Sequence, residues 1–240
     1  MAKETLDDLQ NGFFIYQDTE NFRFGIDAVL LADFVRIKKG DTVCDLGCGT
    51  GIIPLLLSAR HKGLKVTGLE INERSAELAE KSVIYNGLSD TVRIVRGDIR
   101  KAGELFDRQS FKVVVTNPPY RKAGSGEINP DSGKAAARHE ILVNLSQVLQ
   151  AADFLLASSG RLYMVHRPER LAEITAGCME NHLAVKKMAF VHPKAGKPAS
   201  MVLIEAVKGA QEGMQVLPPV IVYDEEGNYT DTVKQIYDKA

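Results

Sequence analysis

The stretch Thr42–Gly51, TVCDLGCGTG, joins a short apolar run to three glycines at every second position. This pattern is typical of a buried strand that turns tightly into a helix, because glycine has no Cβ to obstruct the turn or an approaching ligand. The segment that follows, GIIPLLLSARHKG, has the composition of that helix. We therefore predict a strand–turn–helix unit in which Gly47, Gly49 and Gly51 come close to a ligand.

The same strand–helix alternation continues along the chain. Further apolar runs are KVTGLEI, VRIVRGDI, FKVVVTNPPY, GRLYMVHRP, KKMAFVHP and ASMVLIEAVKG, and a helix is predicted from about 139 to 158. Continuous Val/Ile/Leu-rich strands that alternate with helices indicate an α/β fold with a parallel sheet covered on both faces. Only HPKAGKP separates the last two runs, which predicts an antiparallel hairpin at the edge of the sheet.

Composition limits the classes of protein to consider. The chain has 240 residues, 45% of them hydrophobic, and a net charge of -1. Its apolar runs are far shorter than the roughly 18–20 residues of a membrane span, and the N-terminus has no apolar signal segment. Three cysteines suit a reducing cytoplasm, and we interpret Cys44 and Cys48 as small hydrophobic residues and not as a metal site. We expect a cytoplasmic protein with no membrane, no metal and no obligate protein partner.

Charge is unevenly distributed. Residues 1–36 carry three basic and seven acidic side chains, and residues 211–240 carry two and six. Residues 160–210 carry eight Lys and Arg against four acids. This asymmetry fits a local phosphate-binding face as well as it fits a solvated surface of mixed sign.

Two carboxylates near the glycine loop indicate the kind of ligand. Glu70 ends the next strand, 19 residues after Gly51, where it can accept both hydroxyls of a ribose. Asp45 precedes the first glycine by two residues, where it would repel the pyrophosphate of a dinucleotide. It suits a ligand that carries an ammonium and a sulfonium, and the spacing G-x-G-x-G also departs from the dinucleotide pattern G-x-G-x-x-G.

This D-x-G-x-G-x-G loop resembles that of class I S-adenosylmethionine (SAM)-dependent methyltransferases, over residues 23 to about 207. The resemblance implies a Rossmann-like fold with a seven-stranded, mostly parallel sheet, an antiparallel edge hairpin and helices on both faces. It also implies SAM as the cofactor and S-adenosyl-L-homocysteine as the product. In that family an acidic residue after the third strand reads the adenine, and the N-terminal stretch covers the cofactor. The cofactor-binding residues that it implies are Asp45, Gly47, Gly49, Gly51, Glu70, Ile71, Asp98, Ile99, Asn117 and Phe24.

The fourth strand ends at TNPPY, residues 116–120, and this elbow indicates the chemistry. An exocyclic amine is a poor nucleophile, and two acceptors aimed at its N–H groups make it more reactive. The Asn117 side-chain oxygen and the Pro118 carbonyl are such acceptors; Pro119 helps to hold them rigid, and Tyr120 offers a stacking face. We predict these four residues as catalytic. The elbow resembles the signature of methyltransferases that act on adenine or cytosine amines or on glutamine amides.

More of the chain resembles the bacterial tRNA1(Val) adenine-37 N6-methyltransferases of the "methyltransferase small" group. The resemblance rests on FRFGIDAVLLADFV, ARHE, VHRPERL, HPKAGKPASMVLIEAVKGA and the tail LPPVIVYDEEGNYTDTVKQIY. It implies N6-methylation of an anticodon-loop adenine in tRNA. Phosphate contacts are expected from Arg121, Lys122, Arg138, Arg167, Lys194 and Lys197.

Three other functions stay open. One is methylation of a glutamine amide in a release factor, although that family usually carries a separate N-terminal helical domain and only about 40 residues precede the glycine loop here. The second is methylation of adenine in DNA, although such enzymes normally add a target-recognition domain, for which we see no room. The third is a non-catalytic module that binds SAM and RNA. We divide the chain into a methyltransferase domain, 1–210, with an N-terminal lid or helix at 1–38 and a core at 39–210, and a short tail, 211–240. The loop 121–137 is expected to be mobile until substrate arrives.

Overall fold

The computed structural model describes residues 4–9, 12–18, 24–118 and 143–238. Its strands are β1 Glu4–Asp8, β2 Phe14–Asp18, β3 Thr42–Leu46, β4 Lys65–Glu70, β5 Val92–Arg96, β6 Phe111–Thr116, β7 Leu156–His166, β8 Leu183–His192, β9 Met201–Lys208, β10 Gln215–Val216 and β11 Val220–Ile221. Its α-helices are α1 Ile26–Phe34, α2 Ile52–Arg60, α3 Glu73–Tyr85, α4 Ala102–Leu105, α5 Leu145–Leu155, α6 Leu171–Glu180 and α7 Asp231–Asp238.

Nine strands form one sheet in the order β10-β8-β9-β7-β6-β3-β4-β5, with β11 also paired to β8. The five strands β3 to β7 run parallel to one another. The chain leaves β3 toward β4 and β5 and then returns to the other side of β3 as β6. This reversal creates the switch point at which ligands of doubly wound sheets bind, beyond the carboxyl ends of the strands.

The sheet is buried on both faces. In β6, Val113 and Val115 belong to the apolar cluster that includes α1 and α2, whereas Val114 belongs to the opposite cluster with α5 and α6. All three valines are fully buried. Successive strand side chains point to opposite faces, so a continuous apolar run is what a sheet covered by helices on both sides requires. The predicted Rossmann-like α/β class is confirmed.

The final hairpin differs in one detail from the prediction. β9 is antiparallel to β8, as expected, but it inserts between β7 and β8 and is antiparallel to both. β8 is therefore parallel to β7 and does not form a bare edge, because β10 and β11 pair with it in parallel. A sequence can show that two consecutive strands pair, but their order in a sheet depends on contacts with distant strands.

The segment 211–238 packs onto the rest of the sheet and its helices. Its strands β10 and β11 extend the sheet, and α7 packs against α1 with Val233 and Ile236 buried. The Arg60 guanidinium, at the end of α2, donates to the Ile236 carbonyl oxygen at 3.0 Å. The tail thus shares the apolar cluster of the first half of the chain.

Two local assignments need correction. The helix predicted over 139–158 is seen as α5, Leu145–Leu155, which opens with a capping box between Asn144 and Gln147; residues 139–142 lie outside the described part. The chain is extended from Leu156, which pairs with Phe111 across a register shift. The N-terminal region contains, ahead of α1, the antiparallel pair β1–β2, which we did not predict.

Candidate active site

The glycine loop, residues 45–51, turns directly at the carboxyl end of β3. The Gly47 and Cys48 amides donate to the Leu69 carbonyl oxygen of β4 at 2.8 and 3.1 Å, which ties the loop to the neighbouring strand. Gly47, Gly49 and Gly51 all have left-handed backbones, with φ of 76°, 55° and 89°. L-residues with a side chain rarely adopt this conformation, so the three predicted glycines are required by the turn itself.

Glu70 clamps this loop. The residue is 8% exposed, and its carboxylate accepts the Gly49 amide at 2.8 Å and the Asn72 amide at 2.8 Å, one on each oxygen. Each carboxylate oxygen has a second lone pair available after such a bond. Glu70 is therefore held at the loop with acceptor capacity remaining, which is what the predicted contact with ribose hydroxyls needs. Ile71 follows it, half-buried, before α3 begins.

Asp45 is the most unusual polar group of the site. It is fully buried, and neither carboxylate oxygen has a hydrogen-bond partner among the described residues. Burial, together with the nearby negative charge of Glu70, raises the pKa of Asp45 well above its ordinary value. A buried carboxylate in this situation is stabilised by a proton or by a cationic ligand. A ligand ammonium beside the loop fits this requirement, and a pyrophosphate does not.

Asp98 and Ile99 lie just beyond β5, and Ile99 approaches the glycine loop. A Cβ built on Gly47 would lie 3.9 Å from Ile99 Cδ1, so Ile99 borders the loop as expected of a side chain that packs on a ligand ring. Asp98 accepts the Arg100 amide at 2.9 Å, and the two side chains form an ion pair at 2.6 Å. The hydrogen bond from the Arg100 side chain is the main cause that lowers the pKa of Asp98. An adenine that binds to Asp98 must therefore share this carboxylate with Arg100.

The elbow leaves β6 next to the glycine loop. Thr116 and Leu46 are register partners in β6 and β3, and the buried Thr116 hydroxyl donates to the Leu46 carbonyl oxygen at 2.9 Å. Asn117 follows at once and is half-buried, and Pro118 is buried. The structure thus brings Asn117 and Pro118 to the glycine loop, as the prediction of a site at the switch point requires. Pro119 and Tyr120 lie outside the described residues, and their predicted roles stay predictions.

The predicted RNA-contacting residues fall into two groups. Arg167, Lys194 and Lys197 lie at the carboxyl edge of the sheet, where the Arg167 guanidinium donates to the Ser200 carbonyl oxygen at 3.0 Å. Lys197 is exposed in the loop between β8 and β9. The second group, Arg121, Lys122 and Arg138, lies outside the described residues, as does the loop 121–137 that we expected to be mobile.

His166 is buried and Phe24 is half-buried. His166 is fully buried at the end of β7, and burial is the largest cause that lowers its pKa to about 4, so the ring is neutral at pH 7. Phe24 packs against the apolar cluster of α1, and its amide donates to the side chain of Gln17 at 3.2 Å. Its predicted contact with the cofactor stays a prediction.

The chain is similar to known proteins. A family model described as "Methyltransferase small domain" matches residues 23–189. The chain belongs to this methyltransferase family. Similar curated proteins include the "tRNA1(Val) (adenine(37)-N6)-methyltransferase" of Porphyromonas gingivalis strain ATCC 33277, which is 30% identical over 189 residues covering 76% of this chain and 73% of that protein. The enzyme of the same name from Tolumonas auensis is 26% identical over 193 residues, which are 80% of this chain and 79% of that protein.

Solved structures agree on the fold. A protein described as a predicted O-methyltransferase from Agrobacterium tumefaciens superposes with a TM-score of 0.73 at 23% identity, over 89% of this chain and 96% of that chain. A geranyl diphosphate methyltransferase in complex with SAM superposes with a TM-score of 0.56 at 18% identity, over 76% and 84%. The resemblance to the methyltransferase small group is confirmed, and the chain is a SAM-dependent methyltransferase.

Within the described residues, 4–9, 12–18, 24–118 and 143–238, every helix is too short or too polar to cross a membrane. The three cysteines, Cys44, Cys48 and Cys178, are buried free thiols.

Sequence reasoning missed the residues that support the site. Thr116 gave a signal only in retrospect, because a hydroxyl at the end of an otherwise apolar strand needs a partner once it is buried. Arg100 lies two residues after Asp98, so its pairing with that carboxylate was visible as a local charge pair. The β1–β2 hairpin docks on α3 through side chains, since Ser82 accepts the Tyr16 amide at 2.9 Å and Asn86 accepts the Phe14 amide at 2.8 Å.

Proposed function

We propose that this methyltransferase transfers the methyl group of SAM to the N6 amine of an adenine in tRNA, in the anticodon loop. The observation that carries the proposal is the bond from Thr116 to Leu46, because it fixes the start of the Asn-Pro-Pro-Tyr elbow beside the glycine loop. The relatives named tRNA1(Val) (adenine(37)-N6)-methyltransferase support the choice of substrate.

The chain's own groups prepare the amine. The Asn117 side-chain oxygen and the Pro118 carbonyl accept the two N–H groups of the amine and draw the nitrogen toward a tetrahedral, more nucleophilic geometry. They also stabilise the positive charge that develops on nitrogen as the N–C bond forms. A proton leaves the nitrogen after the transfer, so no general base is needed before it.

The walls of the site hold the cofactor. When bound, SAM supplies an electrophilic methyl group on a sulfonium. The unpaired carboxylate of Asp45 suits the ammonium of its methionine part, and Glu70 suits the ribose hydroxyls. Ile99 lies beside the loop, where an adenine ring can pack on it.

A target in a single-stranded loop suits this chemistry. The exocyclic amine of a paired adenine is engaged in the duplex, whereas an anticodon-loop adenine is already unpaired and is less costly to rotate into a pocket. Cations at the same edge of the sheet as the elbow, Arg167, Lys194 and Lys197, are available to the phosphates.

A glutamine side-chain amide presents a similar planar N–H2 group, so the elbow alone does not separate the two substrates. The test is to offer methyl-labelled SAM and the purified protein to bulk tRNA, rRNA, DNA and protein, each extracted from a strain that lacks this gene. We expect label in tRNA, released by nuclease digestion as N6-methyladenosine. Label found only in protein would replace the proposal by the glutamine-amide activity. Binding of SAM and RNA with no label in any fraction would indicate the non-catalytic module.

A further inference from the structure

The tail contains a ladder of three tyrosine rings. Tyr223 and Tyr229 stack with centroids 5.3 Å apart and planes 13° apart, and Tyr229 and Tyr237 stack at 5.4 Å and 20°. All three rings are half-buried and pack against the apolar cluster of α1. Tyr223 and Tyr229 also pair through their backbones across the turn that precedes α7.

This ladder lies at the edge of the sheet that carries the active site. β11 pairs in parallel with the end of β8, with Ile221 opposite His192, and the Tyr223 amide donates to the Pro193 carbonyl oxygen at 2.9 Å. β8 is parallel to β7 and β6 because β9 reverses between them. The carboxyl ends of β8 and β6 therefore lie at the same edge, three strand spacings or about 14 Å apart.

Two lysines flank a turn next to Tyr223. The Lys197 amide donates to the Lys194 carbonyl oxygen at 3.2 Å, and Gly196 between them has a φ of 72°, which is the pattern of a β-turn with glycine in its third position. The turn keeps the α-carbons of the two lysines within about 7 Å of each other. The Lys194 ammonium donates to the Glu225 carbonyl oxygen at 3.0 Å, which joins the turn to the tail.

Arg167 connects this turn to the centre of the edge. It follows β7, the strand beside β6, and its guanidinium reaches Ser200 at the end of the loop that contains the lysines. Arg167, Lys194 and Lys197 thus form a row of cations, which we call the basic edge, from the neighbourhood of the elbow to the tyrosine ladder.

Carboxylates mark the outer limit of this surface. Asp224, Glu225 and Glu226 follow Tyr223, and the last two are exposed. They repel phosphates and so disfavour a path of the nucleic-acid backbone beyond Tyr223. A base, which every nucleotide presents as a neutral planar face, is not subject to this repulsion.

We propose that the basic edge and Tyr223 bind the single-stranded RNA that flanks the target adenine, an inference that rests on the proposed function. Arg167, Lys194 and Lys197 contact phosphates, and Tyr223 stacks on one unpaired base at the end of the ladder. The other two rings support Tyr223 from behind. Single-stranded RNA is the partner that fits, because bases within a duplex are not free to stack on a side chain.

The test measures fluorescence anisotropy of a labelled anticodon stem-loop RNA with the full chain saturated with S-adenosylhomocysteine. We expect Lys194→Ala/Lys197→Ala to weaken binding and to reduce the slope of log K against log salt by about 1.4, since each phosphate contact to a single strand contributes about 0.7. Tyr223→Ala should weaken binding at least about fivefold without changing that slope, and Tyr223→Phe should bind as the wild type does. Lys39→Ala removes an exposed charge before β3, at the opposite edge, and is the control.

The affinity for S-adenosylhomocysteine and the Tm of each variant separate a lost RNA contact from a disturbed tail. RNA affinity and salt slope that equal those of the wild type in the lysine variant would overturn the proposed surface. If Tyr223→Ala lowers Tm and leaves RNA affinity unchanged, the ladder stabilises the tail and does not bind RNA. If the variants lose RNA affinity but the wild-type protein forms no N6-methyladenosine, the proposed function is overturned and the proposed surface is not.

Discussion

The Thr116 hydroxyl lies 2.9 Å from the Leu46 carbonyl oxygen, and this bond adds to the backbone pairing of the two strands that lead to the elbow and the glycine loop. Both residues are buried, so no water replaces the bond if it is lost. The bond links the elbow, which is proposed to hold the amine, to the glycine loop, which is proposed to hold the cofactor.

Thr116→Val should therefore uncouple the two halves of the site while keeping the shape of the side chain. We expect a loss of about 1 kcal/mol in the free energy of unfolding, because the Leu46 carbonyl loses a buried donor. We also expect a lower kcat with a nearly unchanged Kd for S-adenosylhomocysteine, measured by calorimetry. Thr116→Ser keeps the hydroxyl and is the matched control; a kcat for Thr116→Val equal to that of the serine variant would contradict the coupling.

Asp45→Asn should have opposite effects on stability and on cofactor binding. The pKa of Asp45 is raised in the folded protein, so folding favours the protonated carboxyl and its stability contribution is lost as pH rises above the ordinary carboxyl range. Asn cannot ionise, so the Tm of the cofactor-free variant should exceed that of the wild type by a margin that grows with pH.

The same variant should bind S-adenosylhomocysteine at least about tenfold more weakly, because the ammonium loses a charged acceptor. Calorimetry measures the affinity, and Asp107→Asn, at an exposed position, is the control. A Tm margin that shrinks with rising pH, or an unchanged affinity, would contradict the role of Asp45.

Asp98 and Arg100 give a prediction that separates the two partners. Asp98→Asn should weaken S-adenosylhomocysteine binding by about 1–3 kcal/mol, because the adenine amine loses its charged acceptor. Arg100→Ala should preserve or strengthen binding, since it removes the competing cation 2.6 Å from the carboxylate. If both variants lose affinity equally, the ion pair is structural and Asp98 does not read the adenine.

The meeting of the site residues could be predicted from the sequence, whereas the strand order around the site could not, and the reason is physical. The glycine loop, Glu70 and the elbow are each local patterns, and parallel strands place their carboxyl ends at one edge, so their meeting could be predicted from the sequence. The insertion of β9 between β7 and β8 could not, because strand order depends on contacts between residues far apart in the chain.

The ends of the chain were also beyond local patterns. β10 and β11 have two residues each, too few for a periodic signal. β1 and β2 are held on α3 by Ser82 and Asn86 side chains, which no hydrophobic periodicity reveals. The tyrosine ladder spans residues 223, 229 and 237, a spacing that fits neither helix nor strand, and only the folded tail brings the rings together.

His166 should make the protein sensitive to mild acid. Its pKa is lowered from 6.5 to about 4 by burial, with Arg170 as the next contribution, so folding favours the neutral ring. The stability that this gives is complete above about pH 6.5 and is lost as pH falls toward about 4. His166→Asn, whose side-chain oxygen can accept the Arg167 amide as Nδ1 does at 2.7 Å, should not show this loss.

The measurement is the free energy of unfolding of both proteins by urea between pH 4 and pH 7. His182→Asn, at a left-handed position with φ of 59° that asparagine tolerates, is the control. As pH falls from 7 to 4, the free energy of unfolding of the wild type should decrease relative to that of His166→Asn. A difference independent of pH would show that His166 titrates normally.

Mass spectrometry of nucleosides from methylated tRNA tests most directly whether Asn117 activates an adenine amine of tRNA. The substrate is tRNA from a strain that lacks this gene, with SAM at saturation and wild type compared with Asn117→Ala. We predict N6-methyladenosine with the wild type and a loss of at least about a hundredfold in rate for the variant, whose Kd for S-adenosylhomocysteine stays within about threefold. N6-methyladenosine formed at the wild-type rate by Asn117→Ala would contradict the account.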